Sequence, residues 1–475
     1  MASYGKASAS LSITVIGGGT AGLACAYALQ AAGHRVCLLE KNPGRDTSAR
    51  GGVLCPPNMT RILNHWGLGS LFPTAPRNRG VHFKLGTNQE IVRSSPFPDD
   101  FMRAFGADYL FLTYSDLLDA LYDSALKAGV LFQYNTTVVT IDPDNARVEL
   151  AGGKVIEGDI IVAADGVHSL ARPLVSESVA RHGQPWHYHQ ASSSISADIL
   201  RVNTELAPLL NATELNIWMG DGYGILGYPI HDRDLYAVDV TWLEKSTNGE
   251  DGICGPFEEL SLDATGVKVD ELDAKLRALV SLPKVLRHSV FTPQEPPERL
   301  VHNSGKLILM GGAAHPSPVH WTHGTALTIE DAATLGALFS HLSSRAQISA
   351  FISAFEDIRL PRCANVIKAD VSNLETVVHP RSTSVADQTA DSPKPPPSEP
   401  VPKTLTGWDE VFESNYQAEW EELIAMFDYD ANDVSEEWWV TWGSLMQRAA
   451  HSSLSQPETD LQLLSTPLPE LLSSY

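Results

Sequence analysis

The stretch LSITVIGGGTAGLACAYALQAAGHRVCLLE, residues 11–40, decides the fold of this chain. Its short apolar run LSITVIG predicts a buried strand, and the alanine- and leucine-rich run that follows predicts a helix. RVCLLE then returns to a strand pattern. The three pieces predict a βαβ unit, which is the repeating unit of α/β proteins with a parallel sheet.

The turn between the first strand and the helix carries the spacing G-x-G-x-x-G, with glycines at Gly17, Gly19 and Gly22. The first glycine permits the tight turn, the second lets the backbone approach a pyrophosphate, and the third lets helix and strand pack closely. Glu40 ends the second strand, where an acidic side chain can accept hydrogen bonds from a ribose diol. In this context the first glycine turn (residues 17–22) predicts a dinucleotide site rather than an empty turn.

A second strand–glycine–helix pattern lies near residue 310, in LILMGGAAHPSPVHWTHGTALTIEDA. The apolar strand leads into Gly311 and Gly312, and a helix is predicted from near Gly324. We call residues 311–325 the second glycine turn, where backbone N–H groups can face an anion or a polar ring edge. The histidines that crowd this loop are candidate bases or, equally, surface residues.

A third pattern, AADGVHSLAR, follows the apolar run DIIV. Asp165 and Gly166 stand directly after a predicted strand. Asp-Gly is a common turn, so this motif alone does not indicate a ligand.

Composition limits the classes of function. The chain has 475 residues, 43% of them hydrophobic, and a net charge of −23. That length predicts two or three domains, and so acidic a chain predicts no binding to nucleic acid or to anionic membranes. Five widely spaced cysteines predict no disulfide framework or zinc site. Because the sequence has no signal-peptide pattern and no apolar span, we predict a cytoplasmic protein. We expect a monomer or a homodimer.

The patterns along the chain predict an order of domains. We predict a first FAD-binding part at 1–180, a substrate-binding sheet domain at 181–298 and a second FAD-binding part at 299–378. Seven prolines predict an extended linker at 379–404, before a Trp-rich helical tail at 405–475. The fold class is therefore α/β, a Rossmann-type domain with an inserted mixed β-sheet domain.

Together and in this order, the motifs resemble those of the FAD-dependent aromatic hydroxylases. These are single-component flavoprotein monooxygenases, and the chain is most similar to their salicylate hydroxylase-like fungal branch. The resemblance rests on VIGGGTAGL with Glu40, GGVLCPPNMTRILNHWGL, AADGVHSLAR, IWMGDGYGILGYPI and the second glycine turn. It covers roughly residues 11–375.

The resemblance implies a role for individual residues. FAD contacts are implied for Gly17, Gly19, Gly22, Glu40, Arg50, Gly51, Gly52, Asp165, Gly166, Gly311, Gly312, Gly324 and Thr325. His320 is the histidine that matches the family's flavin loop, which makes it the first candidate for a polar group near the reacting centre. Tyr223, Tyr228 and His231 are implied on the pocket wall, where ordinary sheet aromatics and a turn histidine are equally good interpretations.

Two of the positions that depart from the family pattern bear directly on FAD binding. The family has Asp where this chain has Gly312, so a hydrogen bond to a ribityl hydroxyl is absent here. The family has Arg where this chain has Tyr114, which directly precedes a helix predicted at 115–128 with Ser115 as N-cap. Either water or a neighbour such as Tyr114 holds the ribityl hydroxyl instead, or this chain binds FAD more loosely than its relatives.

The activity implied by the resemblance is hydroxylation of a phenolic small molecule with FAD, NADH or NADPH, and O₂. Oxygen would be transferred from a flavin C4a-hydroperoxide, with loss of CO₂ if the substrate is a hydroxybenzoate. Fungal secondary metabolism is the expected setting. A flavin-dependent epoxidase, an oxidase or dehydrogenase, and a flavin-free pseudoenzyme remain as alternatives.

Overall fold

The computed structural model describes residues 5–44, 51–176, 186–245, 258–260, 265–283, 286–292, 297–317, 323–379, 421 and 423–445. Arg50, His320, nearly all of the predicted linker and much of the predicted tail lie outside these ranges. Among the described residues, no helix is both long and apolar enough to cross a membrane.

A five-stranded parallel sheet forms around the N-terminal βαβ unit. Its strand order is β18-β11-β1-β2-β7. The strands are β1 (Ser12–Ile16), β2 (Arg35–Leu39), β7 (Leu131–Gln133), β11 (Ile160–Ala163) and β18 (Leu307–Leu309). The two glycine turns follow β1 and β18, which both pair with β11 in parallel, so the turns lie at the same edge of the sheet.

The second large sheet has eight strands in the order β16-β17-β12-β15-β14-β13-β4-β5. They are β4 (Gly80–Leu85), β5 (Ile91–Pro96), β12 (Trp186–Ser196), β13 (Leu215–Gly220), β14 (Tyr223–Ile230), β15 (Leu235–Lys245), β16 (Glu258–Leu260) and β17 (Leu286–Phe291). Segment 1–180, predicted as FAD-binding, therefore contributes β4 and β5 to this sheet. The parallel pairing of β4 with β13 joins distant parts of the chain, which local patterns do not reveal.

Smaller sheets and the helices complete the fold. The small sheets contain β3 (Gly52–Cys55), β6 (Leu110–Thr113), β8 (Val138–Asp142), β9 (Arg147–Leu150) and β10 (Val155–Glu157). The helices are α1 (Thr20–Ala31), α2 (Pro57–His65), α3 (Asp99–Ala104), α4 (Tyr114–Ala128), α5 (Arg172–Val175), α6 (Ala197–Arg201), α7 (Ala274–Val280), α8 (Gly324–Ser340), α9 (Ile348–Val378) and α10 (Ala431–Trp438).

The predicted cap of α4 is wrong. The helix begins at Tyr114, and its N-cap is Thr113, whose hydroxyl accepts a hydrogen bond from the N–H of Asp116 at 2.9 Å. Since Thr113 also ends β6, the helix follows the strand without a loop. Tyr114 is thereby placed in the first helical turn.

The eight-stranded sheet has two different apolar faces, because successive side chains point to opposite sides. Leu226 and Tyr228 belong to the apolar cluster that includes the C-terminal half of α9, and we call this side the inner face. Tyr223 and Ile225 belong to a separate cluster on the outer face, with α7. The inner face is the one that packs toward the glycine turns, because Leu327 of α8 lies in its cluster.

The described part of the tail docks on the main body. Arg61 of α2 donates to Oδ2 of Asp430 at 3.2 Å. Phe427 packs edge-on against Phe97 and Phe105, and Trp439 stacks on His341 with ring centroids 4.3 Å apart. Residues 423–445 thus cover α2, α8 and α9 as an integral layer of the fold.

Candidate functional site

The first glycine turn has the tight packing that its spacing predicts. Gly17 has φ 102°, and a Cβ there would lie 2.3 Å from the carbonyl oxygen of Ala164. A Cβ on Gly22 would lie 1.8 Å from the carbonyl oxygen of Gly17. Gly19, at the N-cap of α1, has no neighbour within 4 Å of its Cβ position. The turn is closed on the protein side and open at the helix N-terminus, where an anion is favoured.

Glu40 is held against this turn. Its Oε2 accepts a hydrogen bond from the N–H of Gly18 at 2.6 Å, and its Oε1 accepts one from the N–H of Asn42 at 2.8 Å. A carboxylate accepts about four hydrogen bonds. Glu40 is therefore fixed in position with capacity left for a ribose diol.

The second glycine turn meets the first. Gly311 has φ 57°, and a Cβ there would lie 2.6 Å from the Cβ of Ala21 in α1. The Gly311 N–H donates to Oδ2 of Asp331 at 3.2 Å. The structure thus brings residues almost 300 positions apart into direct contact, with the turn after β18 against the start of α1.

Arg172 fastens the second turn, and it was absent from the predicted site. Its Nε donates to the carbonyl oxygen of Ala313 at 2.7 Å, and its Nη2 donates to that of Gly312. The side chain is buried although it is charged. The sequence feature that points to Arg172 is its place at the end of the AADGVHSLAR motif, seven residues after Asp165.

Asp165 supplies an oxygen that suits a ligand hydroxyl. Its Oδ2 accepts from the N–H of Leu170 at 2.8 Å. Its Oδ1 is buried and has no hydrogen-bond partner among the described residues. Its Cα lies 3.3 Å from the Cβ position of Gly17, so this oxygen belongs to the region between the two turns. The neighbouring Gly166 has φ 81° and shapes the turn.

Tyr114 and the glycines before β3 complete this region. The hydroxyl of Thr20 donates to that of Tyr114 at 3.0 Å, which joins the starts of α1 and α4. Gly51 has φ 104°, and a Cβ on Gly52 would lie 2.4 Å from the hydroxyl oxygen of Tyr228. Gly52 is therefore the contact between the FAD-binding elements and the inner face of the large sheet.

The second turn ends in a buried histidine–aspartate pair. Helix α8 begins at Gly324, with Thr325 in its first turn and His323 as N-cap. Nδ1 of His323 lies 2.7 Å from Oδ1 of Asp370 in α9. Oδ2 of Asp370 is buried with no partner among the described residues. His320 lies outside the described residues, so of the three loop histidines the structure positions only His315 and His323.

His315 belongs to a buried ion cluster beneath the second turn, formed with Glu330, Asp331, Arg359 and Arg362. Its Nε2 lies 2.6 Å from Oδ2 of Asp331, and Arg359 donates to Oδ1 of Asp331 at 2.8 Å. Both arginines also bind Glu330 at 2.9 Å. The cluster supports the turn from below.

The arginines decide the protonation state of this cluster. Burial alone would raise the pKa of Asp331, but His315 and Arg359 lower it below its ordinary value. Burial opposes Arg362 and Arg359 in the same way at Glu330, whose pKa is also lowered. His315, Asp331 and Cys363 present ligand atoms within 4.8 Å of one another, but the guanidinium of Arg359 already neutralises Asp331. Burial also raises the pKa of the Cys363 thiol, so this group does not favour a metal ion.

The tyrosines predicted on the pocket wall lie on opposite faces of their strand. Tyr228 is fully buried on the inner face, where its hydroxyl donates to Oδ2 of Asp239 at 3.3 Å. Tyr223 belongs to the outer-face cluster and does not point toward the glycine turns. The sequence already implied this, because two residues separated by an odd number of positions in a strand lie on opposite faces, and Tyr223 and Tyr228 are five positions apart. His231 lies in an exposed turn with Nδ1 3.1 Å from Asp116. We therefore leave Tyr223 and His231 out of the site.

These residues fit FAD. The first glycine turn leaves space at a helix N-terminus for the diphosphate, and Glu40 stands where a ribose would bind. Gly311 and Gly312 let the second turn approach Ala21 and Val167 closely, which brings the two glycine turns and the turn at Asp165 together. The buried free oxygen of Asp165 requires a hydroxyl or N–H donor, which a polyol chain or a flavin ring edge can supply.

The chain is similar to known FAD-binding proteins. The family model described as FAD binding domain matches residues 10–251. The chain is 26% identical to FAD-dependent monooxygenase OpS4 of Beauveria bassiana (strain ARSEF 2860) over 75% of its length and 83% of that protein. It is 25% identical to 3-hydroxybenzoate 6-hydroxylase of Polaromonas naphthalenivorans (strain CJ2), over 77% of its length and 87% of that protein.

Solved structures show the same fold. CtdE in complex with FAD and substrate 4 matches with a TM-score of 0.70 at 16% identity, over 92% of this chain and 100% of that one. A salicylate hydroxylase substrate complex matches with a TM-score of 0.66 at 18% identity, over 90% of this chain and 97% of that one. The predicted fold class, an FAD-binding α/β fold with a mixed sheet, is confirmed.

Proposed function

The chain belongs to the FAD binding domain family, and from that premise we propose that it is an FAD-dependent monooxygenase. It hydroxylates a small aromatic molecule, with NADH or NADPH as the reductant and O₂ as the source of the inserted oxygen. The observation that carries this proposal is the contact between the two glycine turns at Gly311 and Ala21. That contact builds one FAD site from two distant segments of the chain.

FAD supplies hydride acceptance and oxygen activation, and the chain's own residues bind and orient. Gly17, Gly19 and Gly22 hold the diphosphate, and Glu40 holds the adenosine ribose. Arg172 fixes the carbonyls of Gly312 and Ala313, so the second turn keeps its shape when the flavin binds. Gly52 brings β3 against Tyr228 on the inner face of the large sheet, beside the region where the flavin would be held.

His323 is the candidate base for the aromatic substrate. Hydroxylation of a phenol is easiest when the ring is electron-rich, so a group that accepts the phenolic proton promotes it. His323 stands at the end of the second turn, and Asp370 orients its ring through Nδ1. That bond leaves Nε2 for the substrate. His320, outside the described residues, stays a second candidate from its match to the family loop.

The first test is colour. The purified protein should be yellow, with bound FAD released on denaturation. FAD-loaded protein, NADH or NADPH, and a panel of phenols in ¹⁸O₂ should then give a product that carries one ¹⁸O atom. Product without ¹⁸O would replace the proposal with an oxidase or dehydrogenase. If the purified protein is colourless and does not bind added FAD, the flavin-free pseudoenzyme is the alternative that remains.

A further inference from the structure

The inner face of the large sheet carries buried polar side chains that the FAD site does not use. Strand pairing places Asp239 beside Ser192, and Thr241 beside Gln190, with Ser289 beside Gln190 on the next strand. None of these five side chains is more than 4% exposed. We call them the polar wall.

An apolar frame surrounds the polar wall. Tyr188, Leu226 and Tyr228 belong to the inner-face cluster, which also includes Leu327 of α8 and is contacted by Val167, next to Gly166. The wall therefore lies on the side of the sheet that packs toward α8, after the second glycine turn, and toward the turn at Asp165 and Gly166. Polar groups in such surroundings destabilise the protein if they are left without hydrogen bonds.

One residue of the wall, Ser192, has a hydrogen-bonding group that is not used within the described part of the chain. The hydroxyl of Ser192 is buried with no partner among the described residues. Oδ2 of its neighbour Asp239 accepts a hydrogen bond from the hydroxyl of Tyr228. Burial raises the pKa of Asp239 well above its ordinary value, although that hydrogen bond lowers it. A neutral carboxyl group both donates and accepts, as do a serine hydroxyl and a glutamine amide.

None of the five residues of the wall is a cation. The nearest in the strand register is Arg287, which pairs with Ser192 on the side away from Asp239 and is partly exposed. A substrate carboxylate beside Asp239 would lose its hydration and meet a carboxyl group instead of a guanidinium, because strand β12 separates Asp239 on β15 from Arg287 on β17. An uncharged group with a donor and an acceptor would satisfy the wall at no such cost.

We propose that the polar wall binds an uncharged hydrogen-bonding group of the substrate, such as an amide, a lactam or a hydroxyl, in preference to a carboxylate. This proposal rests on the proposed function, because it concerns the substrate of the same enzyme.

Three probes with the same ring test the preference. They are 3-hydroxybenzamide, 3-hydroxybenzoate and 3-hydroxybenzylamine, whose side groups are neutral, anionic and cationic at pH 7.5. Each is titrated into FAD-loaded protein while the flavin absorbance is followed. The amide should bind at least about tenfold more tightly than the other two, a difference of about 1.4 kcal/mol.

The other outcomes overturn the proposal. Equal or tighter binding of the benzoate would show a carboxylate site, and its loss in Arg287→Ala would locate that site. Tightest binding of the benzylamine would show that Asp239 is an anion. Failure of all three probes to bind more tightly than about 10 mM would show that the wall is not a ligand site.

Variants separate the wall from the rest of the fold. Ser192→Ala and Asp239→Leu should each weaken amide binding about tenfold, whereas Asp239→Asn, which still donates and accepts, should retain it. The matched control is Ser193→Ala, the adjacent position on the outer face, which should bind the amide as the wild type does. Loss of FAD from the wild type would contradict the proposed function, whereas FAD-loaded protein without a preference contradicts only this inference.

Discussion

Nδ1 of His323 lies 2.7 Å from Oδ1 of Asp370, and this contact ties the end of the second glycine turn to α9. Both residues are buried. A histidine in such a pair has its ring orientation and its tautomer set by the carboxylate, and the opposite nitrogen is presented to a substrate.

Replacing either partner should therefore reduce turnover without loss of FAD. His323→Ala should lower kcat about 10²- to 10⁴-fold, the usual contribution of a general base. Asp370→Asn should lower it about tenfold, because the ring loses its orienting partner but remains present. Product formation and H₂O₂ release are measured together, because an enzyme without its base should release H₂O₂ and form less product.

His231→Ala is the control for that pair. His231 also contacts an aspartate, Asp116, but it lies in an exposed turn, so its loss should leave kcat unchanged. Normal turnover in His323→Ala would exclude His323 as the base and leave His320 as the candidate.

Gly312→Asp should tighten FAD binding. The aspartate restores the carboxylate that the resemblance assigns to a ribityl hydroxyl, a hydrogen bond that contributes about 0.5–1.5 kcal/mol. A Cβ there would lie 3.3 Å from Cγ1 of Val167, so a small adjustment of that side chain is needed. Gly312→Ala carries the same Cβ without the carboxylate and is the control. If both variants bind FAD equally, the ribityl chain does not pass this position.

Tyr114→Phe should weaken FAD binding by about two- to tenfold, because it removes the hydroxyl that joins α1 to α4 beside the FAD site. Thr20→Val removes the other half of the same hydrogen bond. If Tyr114 contacts FAD directly, Tyr114→Phe should have the larger effect in fluorescence titrations of apoprotein. Equal effects would indicate that the hydrogen bond only supports the fold.

The buried ion cluster should make the protein sensitive to acid. Because the pKa values of Glu330 and Asp331 are lowered in the folded state, the unfolded state binds more protons at low pH. The stabilisation from these carboxylates is fully present above their ordinary pKa of about 4 and is lost as the pH falls through the lower folded values. Urea unfolding between pH 7 and pH 3 should show this decline.

Arg359→Met should reduce the free energy of unfolding by about 3–5 kcal/mol at pH 7, because it leaves buried carboxylates without their partner. Part of this loss should be recovered at pH 5, where a released carboxylate binds a proton. Arg345→Ala breaks an exposed pair with Asp159 and should give no measurable change. The same loss at both pH values would indicate that packing, and not charge, is what Arg359 contributes.

The docked part of the tail should be needed for stability. A chain that ends at residue 379 loses the buried side chains of Met426 and Phe427 and the contacts of Tyr429 with Arg359. Each buried apolar side chain contributes about 1.5–3 kcal/mol, so the shorter chain should unfold at clearly lower temperature. A chain that ends at residue 445 keeps these contacts and serves as the control. If the chains that end at residues 379 and 445 have equal melting temperatures and equal FAD contents, residues 423–445 have no structural role.

The sequence alone determined the βαβ unit, the two glycine turns and the order of motifs. These features depend on local rules: Gly17, Gly19 and Gly22 are spaced for one turn, and strand and helix periodicities extend over a few residues. They were sufficient for the fold class and for FAD. The spacing of Tyr223 and Tyr228 also determines that they lie on opposite faces, because the two residues are five positions apart in one strand.

Only the tertiary structure decided which distant groups meet. Arg172 reaches carbonyls 140 positions away, and His323 meets Asp370 on a helix that carries no sequence signal for it. Strand pairing assembles the polar wall from β12, β15 and β17. Such contacts depend on how helices and sheets pack, which local propensity does not encode. The FAD motifs were therefore visible in the sequence, whereas the Asp370 partner of His323 and the polar wall became visible only in the fold.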